Sequence, residues 1–133
     1  MALLFVNQGE DIALNIVTKK STQEELDLIL YTAPTTSPGE TLTESGVTEA
    51  TFTGYTTESL TASNWVLDPG VDISYPKVTF TSSAGSQNQD VYGYAVIQRT
   101  SGKLMYVEEF TDGPYNIAND GDKIEVTLVI TAD

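Results

Sequence analysis

Cysteine and histidine are both missing from this chain of 133 residues. Their absence excludes a Ser-His-Asp or Cys-His nucleophile, a Cys/His zinc site and a disulfide bond within one chain. Lysine and arginine are scarce, since 6 of them stand against 19 aspartates and glutamates and leave a net charge of −13 at pH 7. Basic groups neutralise phosphates when proteins bind nucleic acids or anionic membranes, so we expect neither as a partner.

Long apolar runs are also missing. No segment approaches the roughly 20 apolar residues of a membrane span, and the apolar run at residues 2–6 is shorter than the roughly 7–15 residues of a secretion signal's apolar region. Neither GxGxxG nor GxxxxGK[ST] occurs, so the sequence gives no support for nucleotide binding. We expect a protein that is made and used without secretion.

The residues that are present indicate one folded β-rich domain over residues 1–133. Hydrophobic residues make up 40% of the chain, which has seven Tyr and four Phe, too many for an acidic disordered tail. Residues 10–20 predict a short helix, and residues 25–31 alternate as a strand does. Residues 33–50 predict a long loop. The helix has four apolar residues at roughly helical spacing: Ile12, Leu14, Ile16 and Val17.

Residues 51–133 predict short strands separated by turns. Val78 and Phe80 alternate inward within residues 77–81, and residues 91–98 are apolar on both faces, as in a central strand that is covered on both sides. The last strand has four apolar residues on one face: Ile124, Val126, Leu128 and Ile130. The pattern predicts a mainly β fold, an antiparallel β-sandwich or barrel, jelly-roll-like, with one short N-terminal helix.

The acidic residues do not predict an enzyme. Glu108 and Glu109 are adjacent in a predicted strand and point to opposite faces, so they cannot form a glycosidase pair. Four oxygen-bearing residues could hold Ca²⁺: Asp112, Asn119, Asp120 and Asp122. Their spacing differs from that of an EF-hand loop, and the same residue types are common in turns. We favour turns and keep calcium as the alternative.

Aromatic residues, the N-terminal segment at residues 1–7 and the loop at residues 34–48 are the candidate contacts with a partner. Tyr92 and Tyr94 are predicted to share a strand face, with Tyr106 across the hairpin. These tyrosines could belong to the core, form a protein interface or provide a platform for a sugar. Trp65 is predicted to anchor the core. Residues 1–7 are either an arm that docks on a neighbour or the first strand of the chain's own sheet. The candidate contacts outside the tyrosines are Leu3, Leu4, Phe5, Val6, Pro34 and Pro38.

Segments spread over most of the chain together resemble small virion proteins of tailed bacteriophages. These segments are residues 3–10, 26–31, 53–55, 60–65, 91–94, 104–110, 112–115 and 121–127. The resemblance implies a β-rich structural protein without catalysis or a cofactor. Its implied role is capsid decoration, also called cement, with the major capsid protein as the partner. The chain itself is expected to form a homo-oligomer, preferably a trimer.

Charge adds an expectation about the side of the shell. A subunit of charge −13 is repelled by DNA packed in the lumen, so we expect the outer capsid surface of a virion assembled in the host cytoplasm. The alternative is a tail or head fibre component that binds host glycan or protein through exposed aromatics such as Tyr55 or Tyr115. A non-viral, adhesin-like sandwich is a third hypothesis.

Overall fold

The structure is a computed structural model that describes residues 4–33, 39–68 and 72–131. The predicted Leu3, Pro34 and Pro38 contacts lie outside these residues. The elements are β1 (Leu4–Phe5), α1 (Asn7–Val17), β2 (Leu26–Tyr31), β3 (Glu58–Leu60), β4 (Val66–Asp68), β5 (Asp72–Thr81), β6 (Gln89–Val91), β7 (Gly93–Gln98), β8 (Leu104–Glu109), β9 (Tyr115–Ile117) and β10 (Lys123–Thr131), with short 3-10 turns at Glu44–Gly46 and Ala62–Asn64.

The strands form antiparallel sheets, as predicted. Five strands pair in the order β1-β8-β7-β2-β3, three in the order β10-β5-β4, and β6 pairs with β9. The five-stranded and three-stranded sheets enclose the larger core, so the fold is sandwich-like. The buried residues of that core are Leu28, Leu30, Ala50, Phe52, Leu60, Tyr75, Phe80, Val91, Tyr94, Val96, Ile117, Ile124, Val126 and Leu128.

A second core lies on the other face of the five-stranded sheet. Its buried residues are Val6, Ile29, Tyr31, Ala95, Leu104 and Val107. Leu42 and Val47, from the segment predicted as a long loop, pack against this core. The segment also continues the sheet, because Ala50 donates its N–H to the Leu30 carbonyl at 2.8 Å. The two cores explain why β2 and β7 are buried on both faces.

The helix is confirmed, but it begins earlier than predicted. Gln8 tethers its first turn to the sheet by accepting the N–H of Leu104 at 2.9 Å. The helix ends before Lys19, which adopts the left-handed conformation with φ 59°. The predicted apolar stripe is only partly correct: Ile12 is buried and Ile16 is half-buried, whereas Leu14 is 64% exposed.

The final strands agree with the prediction, and the central strand needs one correction. Phe80 is buried, and Ile124, Val126 and Leu128 face the larger core. The segment predicted as one strand over residues 91–98 divides at Tyr92, between β6 and β7. Gly93 begins β7 where a side chain has no room, since a Cβ atom there would overlap the carbonyl oxygen of Glu108 and lie 2.5 Å from the Tyr31 hydroxyl.

Candidate functional site

The predicted N-terminal contacts belong to the chain's own fold where the structure describes them. Leu4 and Phe5 form β1 and pair with Val107 and Tyr106 of β8, which corresponds to the first-strand alternative. Val6 is fully buried and donates its N–H to the Met105 carbonyl at 3.2 Å. The folded subunit therefore offers no Val6 side-chain surface to a partner, which corrects that prediction.

The two central tyrosines do not share a face. Tyr94 belongs to the larger core with 5% exposure, whereas Tyr92 packs against the second core. Tyr92 lies in the break between β6 and β7, where the alternation of the strand is interrupted. The Tyr94 hydroxyl donates to the Glu108 carboxylate at 2.7 Å. Tyr94 is therefore a core residue, and its prediction as a partner contact is corrected.

Tyr106 and Trp65 lie at the boundary between core and surface. Tyr106 packs against the larger core and stacks on Phe5 with ring centroids 4.6 Å apart. Trp65 packs against the same core and meets Tyr75 edge to face at 5.0 Å. Both residues also line a groove, so the predicted core anchor at Trp65 is only partly buried.

Several carboxylates hold the polypeptide in place. Glu24 accepts the N–H groups of Thr100 and Ser101 at 2.9 and 2.8 Å, and these hydrogen bonds lower its pKa. Glu49 accepts hydroxyl hydrogen bonds from Tyr55 and Thr57 at 2.7 and 2.6 Å. These contacts give the two carboxylates structural roles.

The predicted calcium loop is organised by one carboxylate. Asp122 accepts the N–H groups of Ala118 and Asn119 at 2.9 and 2.7 Å, which lowers its pKa. Over the described ranges, no three or more acidic side chains come together in a group that could hold a metal ion. Asp122 is thus a turn-forming residue, and calcium binding stays a prediction for titration.

An apolar groove of about 570 Å³ lies at one end of the sandwich, where strand ends of the two large sheets come together. Its lining residues are Gln23, Glu24, Glu25, Leu26, Leu60, Ala62, Trp65, Ile73, Met105, Tyr106 and Ile130. Residues far apart in sequence meet there because β2, β3 and β8 come from one sheet, and β5 and β10 from the other. Because the lining is mostly apolar, the groove is better suited to contact apolar side chains of another protein than to hold the polar groups that a reaction would need.

The mouth of the groove continues onto β4. Leu67 is paired with Ile73 in the β4–β5 ladder, so both side chains lie on the same face of the sheet. Leu67 is 74% exposed, which leaves an apolar side chain in water beside the groove. The sequence indicates such an exposed apolar side chain, because residues 65–67 are all apolar and an alternating strand cannot bury all three.

The rim of the groove is negatively charged. Arg99 donates its Nε–H to Asp27 at 2.8 Å and also pairs with Glu25. Glu24 and Glu25 are the two carboxylates that line the groove, and none of its described lining residues is a lysine or arginine. This excess favours a partner surface with basic residues around an apolar contact.

A smaller depression of about 420 Å³ lies beside β9. Phe110 and Tyr115 meet there with ring centroids 5.1 Å apart, and Tyr115 is 42% exposed. Asn116 and Glu125 are among its polar lining residues. Tyr55, the other predicted recognition aromatic, instead stacks on Phe80 at 5.7 Å and donates to Glu49, so it serves the fold.

Comparison with known proteins does not identify a function, so the function is inferred from these surfaces. Neither a protein-family model nor a curated protein matches this chain. Within the described ranges, no helix has the length and apolar character needed to cross a membrane. The apolar groove, with its exposed Leu67 and acidic rim, is the candidate functional site.

Proposed function

We propose that this chain is a structural protein of a tailed-phage virion, a decoration subunit that binds the major capsid protein on the outer surface of the shell and stabilises it. The observation that carries the proposal is the apolar groove with exposed Leu67 at its mouth. A solvent-exposed apolar groove in an acidic chain is typical of a surface that another protein covers.

The proposal also accounts for the use of the acidic residues. Glu24, Glu49 and Asp122 are engaged in hydrogen bonds that fix loops and turns. The charge of −13 keeps many copies soluble before assembly and disfavours a position against packaged DNA. The resemblance to small virion proteins supplies the identity of the partner.

The first prediction concerns Leu67 at the mouth of the groove. Leu67→Asp places a charge where the partner is expected to cover an apolar side chain, and we expect at least a tenfold weaker binding to capsids, since a buried unpaired charge costs more than about 1.4 kcal/mol. The measurement is co-sedimentation with heads that lack the protein. Wild-type binding to heads together with no binding to free DNA supports the proposal.

The matched control is Tyr115→Ala at the β9 depression, which is expected to bind heads as the wild type does. Equal binding of heads by Leu67→Asp and wild type contradicts the role of the groove. A wild-type chain that does not bind heads contradicts the decoration function itself.

Exposed Tyr115 supports a second candidate, a tail or head fibre component that recognises host glycan. Tyr115 offers its exposed ring to a sugar, half-buried Phe110 supports it from 5.1 Å, and Asn116 lies beside it in the same depression. The same two variants separate the functions, because glycan-array binding that is lost in Tyr115→Ala and kept in Leu67→Asp favours the fibre role.

A further inference from the structure

Strand β10 differs from the other sheet edges in its length. It spans nine residues, and β5 is its only strand neighbour in the described chain. The remaining edges of the two large sheets, β1, β3 and β4, have only two or three residues each. In an edge strand, the N–H and C=O groups that point away from the sheet can pair with another chain. β10 therefore presents the longest unpaired edge among the described strands.

The protective devices common on edge strands are weak in β10. Its charged residues, Lys123 and Glu125, lie in its first three positions, and it has no proline. The six residues 126–131, Val-Thr-Leu-Val-Ile-Thr, carry no charge. Val129 is 46% exposed on the outer face of the sheet. Such a stretch is suited to pairing with a further strand.

We propose that β10 pairs with the β10 strand of a second copy of this chain, antiparallel and around a two-fold axis. The length of the strand favours this occupant, because a second β10 can match all nine residues. In another copy, β1, β3 or β4 can match at most three, and the part of β5 that β4 leaves uncovered, residues 75–81, at most seven, with Pro76 interrupting it. The resulting interface is self-complementary, as two-fold contacts are.

Charge supports the same occupant. β10 has one cation and one acid, so it is locally neutral in a chain of charge −13. With the axis at Thr127, Lys123 faces Thr131 and Glu125 faces Val129 of the other copy, so no like charges lie opposite each other. Repulsion between the acidic remainders of the two copies acts at longer range and is screened by salt. The dimer is therefore expected to strengthen as salt concentration rises.

The test is sedimentation equilibrium of the full chain at several protein and salt concentrations. We expect a dimer of twice the 14.4 kDa subunit mass. Val129→Glu places a carboxylate directly opposite Glu125 of the other copy, twice in each dimer, and is expected to weaken dimerisation at least tenfold. The control is Thr81→Glu, at the end of β5 opposite Lys123, which adds the same charge to the same outer face away from the β10 edge.

Circular dichroism shows whether both variants are folded, and amide hydrogen exchange shows whether the β10 amides become protected on dimerisation. A wild-type monomer at all concentrations, a trimer, or a dimer weakened equally by both variants overturns the proposal. The experiment needs no capsid, so its failure and the failure of the decoration function are separate results.

Discussion

At the scale of single residues, four buried or half-buried tyrosines couple the stability of the fold to alkaline pH. Burial raises the pKa of Tyr31, Tyr55, Tyr94 and Tyr106 above the ordinary value, and hydrogen bonding to the carboxylates of Glu49 and Glu108 adds to this for Tyr55 and Tyr94. Each of these phenols is neutral in the folded protein at pH values where it ionises in the unfolded chain. The free energy of unfolding therefore falls as pH rises above about 10, the ordinary tyrosine pKa. Below that pH these groups do not change it.

The corresponding prediction is an alkaline transition in which tyrosine ionisation accompanies unfolding. Absorbance at 295 nm is expected to show the ionisation of Tyr31, Tyr55, Tyr94 and Tyr106 only at the pH where circular dichroism reports loss of the sheets. Ionisation of all seven near pH 10 in a chain that keeps its native spectrum contradicts this account.

Gly9 is the residue that allows the helix to lie close to the sheet. A Cβ atom at this position would overlap the Met105 carbonyl oxygen and lie 2.6 Å from Phe5 Cε2 and 2.8 Å from Met105 Cα. We expect Gly9→Ala to lower the free energy of unfolding by about 1–3 kcal/mol, despite the better helix propensity of alanine. Denaturant unfolding measures this change.

The control is Gly85→Ala, where the nearest described atom to a new Cβ is 4.0 Å away. This variant is expected to stay within about 0.5 kcal/mol of the wild type. Equal stabilities for the two variants contradict the close approach of α1 to β8.

Some of these residue roles could be predicted from the sequence. Phe80 and Val126 are buried as their alternation indicates, because one face of each strand meets the larger core. Val6 and Tyr94 could not be assigned, since their burial depends on the second core and on the break at Tyr92. Those features come from contacts between distant parts of the chain.

At the scale of elements, the helix shows which information local sequence contains. Its existence follows from local spacing, but the face that it buries is set by the sheet below it. The spacing included Leu14 and Val17 in the apolar stripe, yet they are 64% and 79% exposed. The close contact at Gly9 places Ile12 toward the sheet instead.

The helix orientation gives a paired stability prediction. Ile12→Ala is expected to lower the free energy of unfolding by about 2–4 kcal/mol, because a buried side chain is lost. Leu14→Ala is expected to change it by less than about 0.5 kcal/mol, because the leucine is exposed. A larger loss for Leu14→Ala than for Ile12→Ala in denaturant unfolding means that α1 packs through its other face.

Strand β2 makes the same point for the sheets. Its alternation predicted a strand, and the strand is present, but both of its faces are buried from Asp27 onward. The carboxylate of Asp27 is accommodated because the Nε–H of Arg99 donates to it at 2.8 Å. Arg99 directly follows the last residue of β7. The period of a sequence identifies a strand, whereas the pairing of a buried charge depends on which strands become neighbours.

At the scale of the whole molecule, composition and fold class could be read from the sequence, but the groove could not. Leu26, Ile73 and Ile130 meet there only because the ends of two sheets are brought together. The net charge of −13 is a property of the whole surface, and it is compatible with a subunit that carries an apolar docking site and a neutral strand edge.

The most direct test of the proposed decoration function is the copy number of this chain in any purified virion that contains it, measured by quantitative mass spectrometry against the major capsid protein. A subunit that binds across the whole shell is expected in numbers close to those of the major capsid protein. Only a few copies per virion, as in a tail or a fibre, would contradict the proposed function.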